Sequence, residues 1–187
     1  GIFKVDAVGA DLIVQDGRNR TAKITSTDLA ASNGVVHVID KVLLPPDKNV
    51  VQTAQALAAA ASPEFTVLVE AVVAANLAGT LSGTGPFTVF APTDAAFAAL
   101  LTELGISKPQ LLADVPLLTK VLTYHVVPGR VLKADVPLNT PITTVQGETF
   151  TVDGALAITD QRGRKANIVA TDVLASNGVI HVLDKVI

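Results

Sequence analysis

Apolar and polar positions alternate at both ends of the chain, whereas the middle has helical spacing. Within residues 1–44 strand-like alternation is found in FKVDAV, ADLIVQD, AKITSTD and VVHVIDKVLL, with a turn at DGRNR. A strand ladder cannot continue through Pro45-Pro46-Asp47, which indicates a linker. Strands and turns return from Val131 onward. Helices followed by strands predict an α+β fold, a mixed β-sheet wedge or sandwich with N-terminal helices packed along it.

Helix-start signals divide the central part of the chain. A first helix is expected over 49–60, and Ser62 followed by Pro63 predicts the cap and first turn of a second helix. Thr93 or Asp94 is expected to cap the helix DAAFAALLTEL. The segment LLTKVLTYHVV is predicted to run from a helix into a strand.

An internal repeat determines the domain organisation. The segment TDLAASNGVVHVIDKV at 27–42 recurs at 171–186 as TDVLASNGVIHVLDKV, with twelve of sixteen positions identical and an offset of 144. A period of this length indicates tandem whole domains. We therefore expect residues 1–46 to be the C-terminal part of a preceding repeat with its linker, and residues 47–187 to be one complete domain.

The incomplete first repeat raises the question of what covers its apolar side chains. Those expected to face inward are Val5, Leu12, Val14, Ile24, Val36 and Val38. Leaving them in water would cost several kcal/mol, by about 25 cal/mol per Å², so we expect them to be covered. Three arrangements stay open: an upstream part was removed, the segment pairs with another molecule, or it competes with 144–187. The last would give a homo-oligomer by exchange of the duplicated strand segment.

Composition excludes several classes of function. The net charge of −3 with interspersed signs argues against a nucleic-acid groove, and the absence of Cys excludes disulfides and thiol chemistry. No apolar run approaches the 18 or more residues of a membrane span. The chain has no Met, so Gly1 is expected to be a processed end, the start of an excised fragment or a tag remnant.

Three ordered segments carry a resemblance to a known family. They are TVFAPTDAAFAAL at 88–100, TYHVVPG at 123–129 and ATDVLASNGVIHVLDKVI at 170–187. Together they resemble the fasciclin-like domain. The resemblance implies a noncatalytic cell-adhesion or matrix-interaction module, secreted or surface-anchored in an extracellular or periplasmic location. Its implied partners are cell-surface or matrix proteins or polysaccharides, and no cofactor is implied.

The resemblance also suggests binding residues. Family members use an Asp-Ile pair and a Tyr-His dipeptide for recognition, which correspond here to Asp172-Val173 and Tyr124-His125. The residues themselves place Tyr124 and His125 on a strand, with side chains on opposite faces. If these side chains are exposed, Asp172→Ala and Tyr124→Ala should leave stability nearly unchanged.

Two alternatives to adhesion remain open. A soluble carrier could bind a small apolar or glycan ligand in a cleft between helices and sheet. A large preformed pocket lined by Leu and Val would favour the carrier, whereas a flat surface around Asp172 would favour adhesion. Catalysis ranks third, because the chain lacks Cys and a Gly-x-Ser-x-Gly motif. Histidines occur at 37, 125 and 181 without metal-ligand spacing, so no metal site is predicted. The pair Asn177-Gly178 is expected to supply positive backbone angles to a turn.

Overall fold

The computed structural model describes residues 2–187, so the expectation about Gly1 lies outside the described residues. The chain divides into two compact units. The first runs to Lys48 and includes Leu174–Ser176, and the second comprises Asn49–Val173 and Asn177–Ile187.

The first unit is a four-stranded antiparallel sheet in the order β1-β2-β3-β4. Its strands are β1 Lys4–Val8, β2 Asp11–Gln15, β3 Thr21–Ala31 and β4 Gly34–Ile39. They correspond to the four segments that alternation predicts. We call β3 and β4 the first hairpin.

A buried aspartate stabilises the turn between β2 and β3. The carboxylate of Asp16 accepts hydrogen bonds from the amides of Arg18, Arg20 and Leu44 and from the Arg20 guanidinium. Burial alone would raise the Asp16 pKa, but these donors outweigh it and hold the pKa well below its usual range. One side chain thereby joins the turn to the segment that follows β4.

The second unit begins with helices, as the sequence predicts. They are α1 Val50–Ala58, α2 Thr66–Ala74, α3 Ala78–Leu81, α4 Asp94–Leu104, α5 Lys108–Ala113 and α6 Val115–Tyr124. Asn49 and Gln52 form a capping box at the start of α1. Thr93 caps α4 through its hydroxyl, and Gly105 ends that helix in the left-handed conformation.

Seven strands form the sheet of the second unit, in the order β6-β5-β11-β10-β9-β8-β7. They are β5 Phe87–Pro92, β6 Val126–Pro128, β7 Ile142–Thr143, β8 Thr149–Val152, β9 Ala157–Thr159, β10 Lys165–Ala175 and β11 Gly178–Leu183. β5 pairs in parallel with β11 and antiparallel with β6. We call β10 and β11 the second hairpin. Helices and a mixed sheet in this order confirm the α+β prediction.

Aromatic and aliphatic side chains from strands and helices fill the interior of the second unit. Phe90 contacts Phe150 edge to face at 5.1 Å between ring centroids. Around them lie Val127, Val136, Ile142, Val152, Ile158, Leu183 and Ile187. Helix α2 packs against α1, α4, α5 and α6. Within this core β11 lies between β5 and β10 and contacts α1.

The predicted start of the second helix is wrong. α2 begins at Thr66 after Phe65, which has a left-handed backbone, and Ser62 and Pro63 precede the helix without capping it. The cap comes from elsewhere in the chain: the Asp94 carboxylate accepts the amides of Thr66 at 3.1 Å and Val67 at 2.8 Å. A local signal could not reveal a partner 28 residues away.

Most of the apolar side chains that the sequence predicts to be covered in the first unit are exposed on the single chain. Val14 is buried, but Val5, Leu12, Val36 and Val38 are exposed. Within residues 2–48 the structure has no helix that could lie over the sheet. The hydrophobic pattern specifies these strands without supplying what covers them.

Candidate functional site

Tyr124 lies at the end of α6 rather than on a strand, so the predicted strand geometry of the Tyr-His pair is wrong. Its side chain is buried, and its hydroxyl donates to the Thr149 carbonyl at 2.9 Å. The ring packs edge to face on Phe150. Burial, with Asp160 nearby, raises the Tyr124 pKa. The residue is an amphipathic core side chain with a satisfied polar tip.

His125 follows α6 as its C-terminal cap and is also buried. Its Nδ1 lies 2.8 Å from the Val121 carbonyl, and its Nε2 accepts the Ile187 amide at 3.0 Å. A carbonyl only accepts and an amide only donates, so the ring is neutral with its proton on Nδ1. Burial lowers the pKa of His125 to about 4, opposed by the Val121 bond and aided by Arg164.

Asp172 interrupts β10 with a left-handed backbone, φ 57°, and its side chain is buried. Its carboxylate accepts the Lys133 amide at 2.8 Å, while its own amide donates to His181 Nδ1 at 3.4 Å. The other ring nitrogen of His181 lies 2.9 Å from the Val131 carbonyl. These bonds fasten the segment after β6 to the second hairpin.

The four predicted binding residues therefore lie on two different parts of the second unit. Tyr124 and His125 end a helix, and their rings are 6.4 Å apart. Asp172 and Val173 belong to the second hairpin. Tyr124, His125 and Asp172 are buried, whereas Val173 is half-buried. The Asp172 side chain is 1 % exposed, so the flat surface that would favour adhesion over a carrier is not found at this residue.

Two residues have structural roles that sequence reasoning missed. The Asn177 side chain accepts the Val50 amide at 2.9 Å and donates to the carbonyls of Leu81 and Gly83. It joins α1, α3 and the second hairpin. The predicted positive backbone angles at Asn177 and Gly178 are wrong, because neither residue has a positive φ. Asp94 likewise caps α2 from the start of α4. Polar residues flanked by small ones were the available signal, but their partners are distant in sequence.

An apolar pocket lies in the second unit between α1, α2, β5 and β11. The pocket encloses about 40 Å³, and about 580 Å³ when the open mouth is included. It is lined by Val50, Val51, Ala54, Leu68, Val69, Val72, Val73, Leu81, Val89, Phe90, Ala91, Leu122, His125, Val126 and Ile180. A pocket of this composition is what the carrier alternative requires.

Metal ligation and membrane insertion find no support in the described part of the chain. Among residues 2–187 no group of three or more His, Asp or Glu side chains could hold a metal ion. Over the same residues, none of the helices has the length and apolar character needed to cross a bilayer.

The order of elements, the duplicated hairpin and the Tyr-His helix end define a class of domain. The fasciclin domain family model matches residues 3–45 and 63–187, and the chain belongs to this family. It is 46% identical over 133 residues to Protein sll1483 of Synechocystis, covering 69% of each chain. The prediction of family is thereby confirmed.

Animal relatives extend the match to more of the chain. The transforming growth factor-beta-induced protein ig-h3 of Sus scrofa is 31% identical over 166 residues, which are 89% of this chain but 23% of that protein. The solved FAS1 domain pair from the insect cell adhesion molecule Fasciclin I superposes with a TM-score of 0.65 at 21% identity, covering 99% of this chain and 66% of that one. This likeness confirms the fold.

Proposed function

We propose that this chain is a noncatalytic adhesion or matrix-interaction module of tandem fasciclin domains, displayed in an extracellular or periplasmic location. Family membership and the fold of an insect cell adhesion molecule support this proposal. So does the chemistry of the buried polar groups. Both nitrogens of His125 and the carboxylate of Asp172 bond to backbone atoms, so they stabilise the fold rather than face a substrate.

The observation that carries the proposal is the number of exposed apolar side chains on the first unit. Val36 is 53 % exposed and Val35 57 % exposed on the first hairpin. Other exposed apolar side chains of this unit are Phe3, Val5, Val8, Leu12, Leu29, Val38 and Val42. So many exposed apolar side chains on one small sheet are typical of a surface that binds another polypeptide.

The duplicated sequence indicates which polypeptide fits. In the second unit the matching hairpin is covered by β5, which pairs with β11, and by α1. We define the receiving half as residues 49–143, which hold β5, α1 and the other helices. The proposed occupant of the first hairpin is the receiving half of a second copy of this chain. The first hairpin would there replace the second hairpin, giving an exchanged homo-oligomer.

The four predicted binding residues gain a definite role in this exchange. Tyr124 and His125 belong to the receiving half, whereas Asp172 and Val173 belong to the second hairpin, which the first hairpin of another copy would displace. In the exchanged form Asp28 and Leu29 would occupy the places of Asp172 and Val173, 144 positions earlier. Asp28 has the required left-handed backbone, φ 58°. Asp28 would then accept the Lys133 amide of the second copy.

Light scattering coupled to size-exclusion chromatography tests self-association directly. We expect a concentration-dependent dimer for the unmodified chain and a monomer for Val36→Lys, because a charge on the first hairpin could not enter an apolar interior. Val169→Lys is the matched control. Val169 is 57 % exposed on β10, so this variant should still dimerise. A strict monomer at every soluble concentration, or equal loss in both variants, would contradict the proposal.

Two substitutions at matched aspartates separate exchange from simple surface adhesion. Asp172→Ala weakens the second hairpin in its own receiving half and should raise the dimer fraction, whereas Asp28→Ala weakens the competing hairpin and should lower it. Each substitution should shift the dimerisation constant about tenfold or more, given about 1.5–3 kcal/mol for a hydrogen bond to a charged group. Beads coated with each variant should cluster in the same order. Shifts of the same sign for both variants would count against exchange.

A further inference from the structure

We propose that the pocket between α1, α2, β5 and β11 is a binding site for an uncharged, hydrocarbon-rich small molecule. The site is contained in the second unit and does not depend on the self-association proposed above. Its ligand class follows from what lines the pocket and from how the one polar side chain in the lining is bonded.

The lining offers almost nothing but aliphatic and aromatic carbon. Fourteen of the fifteen lining residues are Val, Leu, Ile, Ala or Phe, and the fifteenth is His125. No Asp, Glu, Lys or Arg lines the pocket. A charged ligand would lose its hydration there without gaining a partner, which would oppose its binding.

His125 does not provide a polar anchor. Its Nδ1 is engaged by the Val121 carbonyl and its Nε2 by the Ile187 amide. The ring therefore presents carbon to the pocket. A glycan, which needs several hydrogen-bond partners, would find none on this side chain. Of the two ligand classes considered from the sequence, apolar or glycan, the lining favours the apolar one.

The pocket is a small cavity that opens to solvent. The enclosed part holds about 40 Å³, well below the roughly 300–1,000 Å³ typical of small-molecule sites, whereas the space including the mouth reaches about 580 Å³. Val51 and Val69 at the mouth are half-buried, and Val73 is exposed. A ligand would thus insert one end between α1 and α2 and cover these rim side chains with the rest.

The existing contacts of α1 show how it is held over the pocket. The Val50 amide donates to Asn177, and the capping box at Asn49 fixes the first turn. Further along, Ala54 lines the pocket while Ala56 is exposed. The two alanines therefore form a matched pair on one helix, one facing the pocket and the other facing solvent.

Fluorescence titration with diphenylhexatriene, an uncharged linear hydrocarbon whose emission rises in apolar surroundings, tests the site. We expect saturable binding of one probe per chain. Ala54→Phe should fill the mouth and weaken binding about tenfold or more, equivalent to about 1.4 kcal/mol. Ala56→Phe should bind like the unmodified chain. Equal affinity in both variants, or no saturable binding, would overturn the proposal.

Further variants and competing ligands test the position of the probe and the class of ligand. Val73→Asp, at an exposed position on the rim, should weaken binding several-fold without disturbing the core, so the test does not rest on Ala54→Phe folding alone. Val36→Lys should leave probe binding unchanged. Loss of probe binding in this variant would show that the probe binds the first unit instead. Decanol should displace the probe, whereas maltohexaose should not. Displacement by the oligosaccharide would overturn the assignment of ligand class.

Discussion

The two hairpins of this chain have nearly the same sequence and the same local structure but opposite environments. β3 and β10 are each 11 residues long, and β4 and β11 are each 6. Val35 is 57 % exposed, whereas Val179 at the matching position is fully buried. The difference cannot come from the hairpin sequence, because the residue is the same.

The local hydrogen bonds of the hairpins also repeat. Asp28 donates its amide to His37 Nδ1 at 3.2 Å, as Asp172 does to His181. At the other end, the Lys23 amide donates to Asp40 at 2.7 Å, and the same bond recurs 144 residues later between Asn167 and Asp184. Short-range sequence therefore sets the turn, the left-handed aspartate and the strand pairing.

Burial is set by what lies around the hairpin. β11 pairs with β5, and Asp172 binds the segment after β6 through Lys133. The first hairpin has the side chains for the same contacts, and within residues 2–48 there is no equivalent of α1 or β5. The two nearly identical hairpins therefore contribute differently to stability, and substitutions at matched positions measure the difference.

The largest expected effect is a charge placed at the matched valines. Val179→Asp would bury an unpaired carboxylate and should lower the free energy of unfolding of the second unit by about 4 kcal/mol. Val35→Asp, exposed to water, should change stability by less than about 1 kcal/mol. Urea unfolding of dilute protein, followed by the fluorescence of Tyr124, the only Tyr in the chain, measures this. Comparable losses in both variants would show that the first hairpin is covered in solution.

The next effect is a pH dependence confined to the covered copy. His125 accepts the amide of Ile187, which ends the second repeat, and its pKa falls from 6.5 to about 4 on folding. Between these values the unfolded chain binds a proton that the folded chain does not. Stability should therefore fall as the pH drops from 6.5, by about 3 kcal/mol near pH 4, and be independent of this group above pH 6.5.

Urea titrations at a series of pH values check this dependence. His125→Gln keeps a donor and an acceptor but cannot titrate, so its stability should fall less between pH 6.5 and 4 than that of the unmodified chain. His37→Gln in the first hairpin serves as the control and should keep the full slope. Parallel curves for His125→Gln and the unmodified chain would refute the assignment.

The smallest of these effects concerns the matched glycines. A Cβ on Gly178 would overlap the Phe87 carbonyl oxygen and lie 3.0 Å from a methyl of Val50, whereas a Cβ on Gly34 would meet nothing within 4 Å. Gly178→Ala should cost about 2 kcal/mol through overpacking. Gly34→Ala should be neutral or stabilise by about 0.5 kcal/mol by restricting the unfolded chain. Thermal unfolding of both variants measures these changes in stability. An unchanged stability of Gly178→Ala would contradict the close packing of β11 on β5.

Sequence patterns predicted the features of the fold that depend on residues close together in the chain. The strands of the first unit, the capped start of α4 at Thr93 and the family all followed from local motifs and the repeat. Contacts between segments distant in sequence could not be predicted in this way, because no local motif indicates them. Asp94 was expected to serve its own helix but caps α2, and Tyr124 and His125 proved to be buried at a helix end because β8 and the C-terminus supply their hydrogen-bond partners.

The cap that Asp94 provides to α2 links two stretches of chain that are translated at different times. Until residue 94 has emerged and α4 has begun to form, the first amides of α2 have no carboxylate to bind them. A shortened version of the protein that stopped before this aspartate would retain the whole of α2 yet leave its first turn frayed. Boundaries for dissecting the domain should therefore be placed beyond α4.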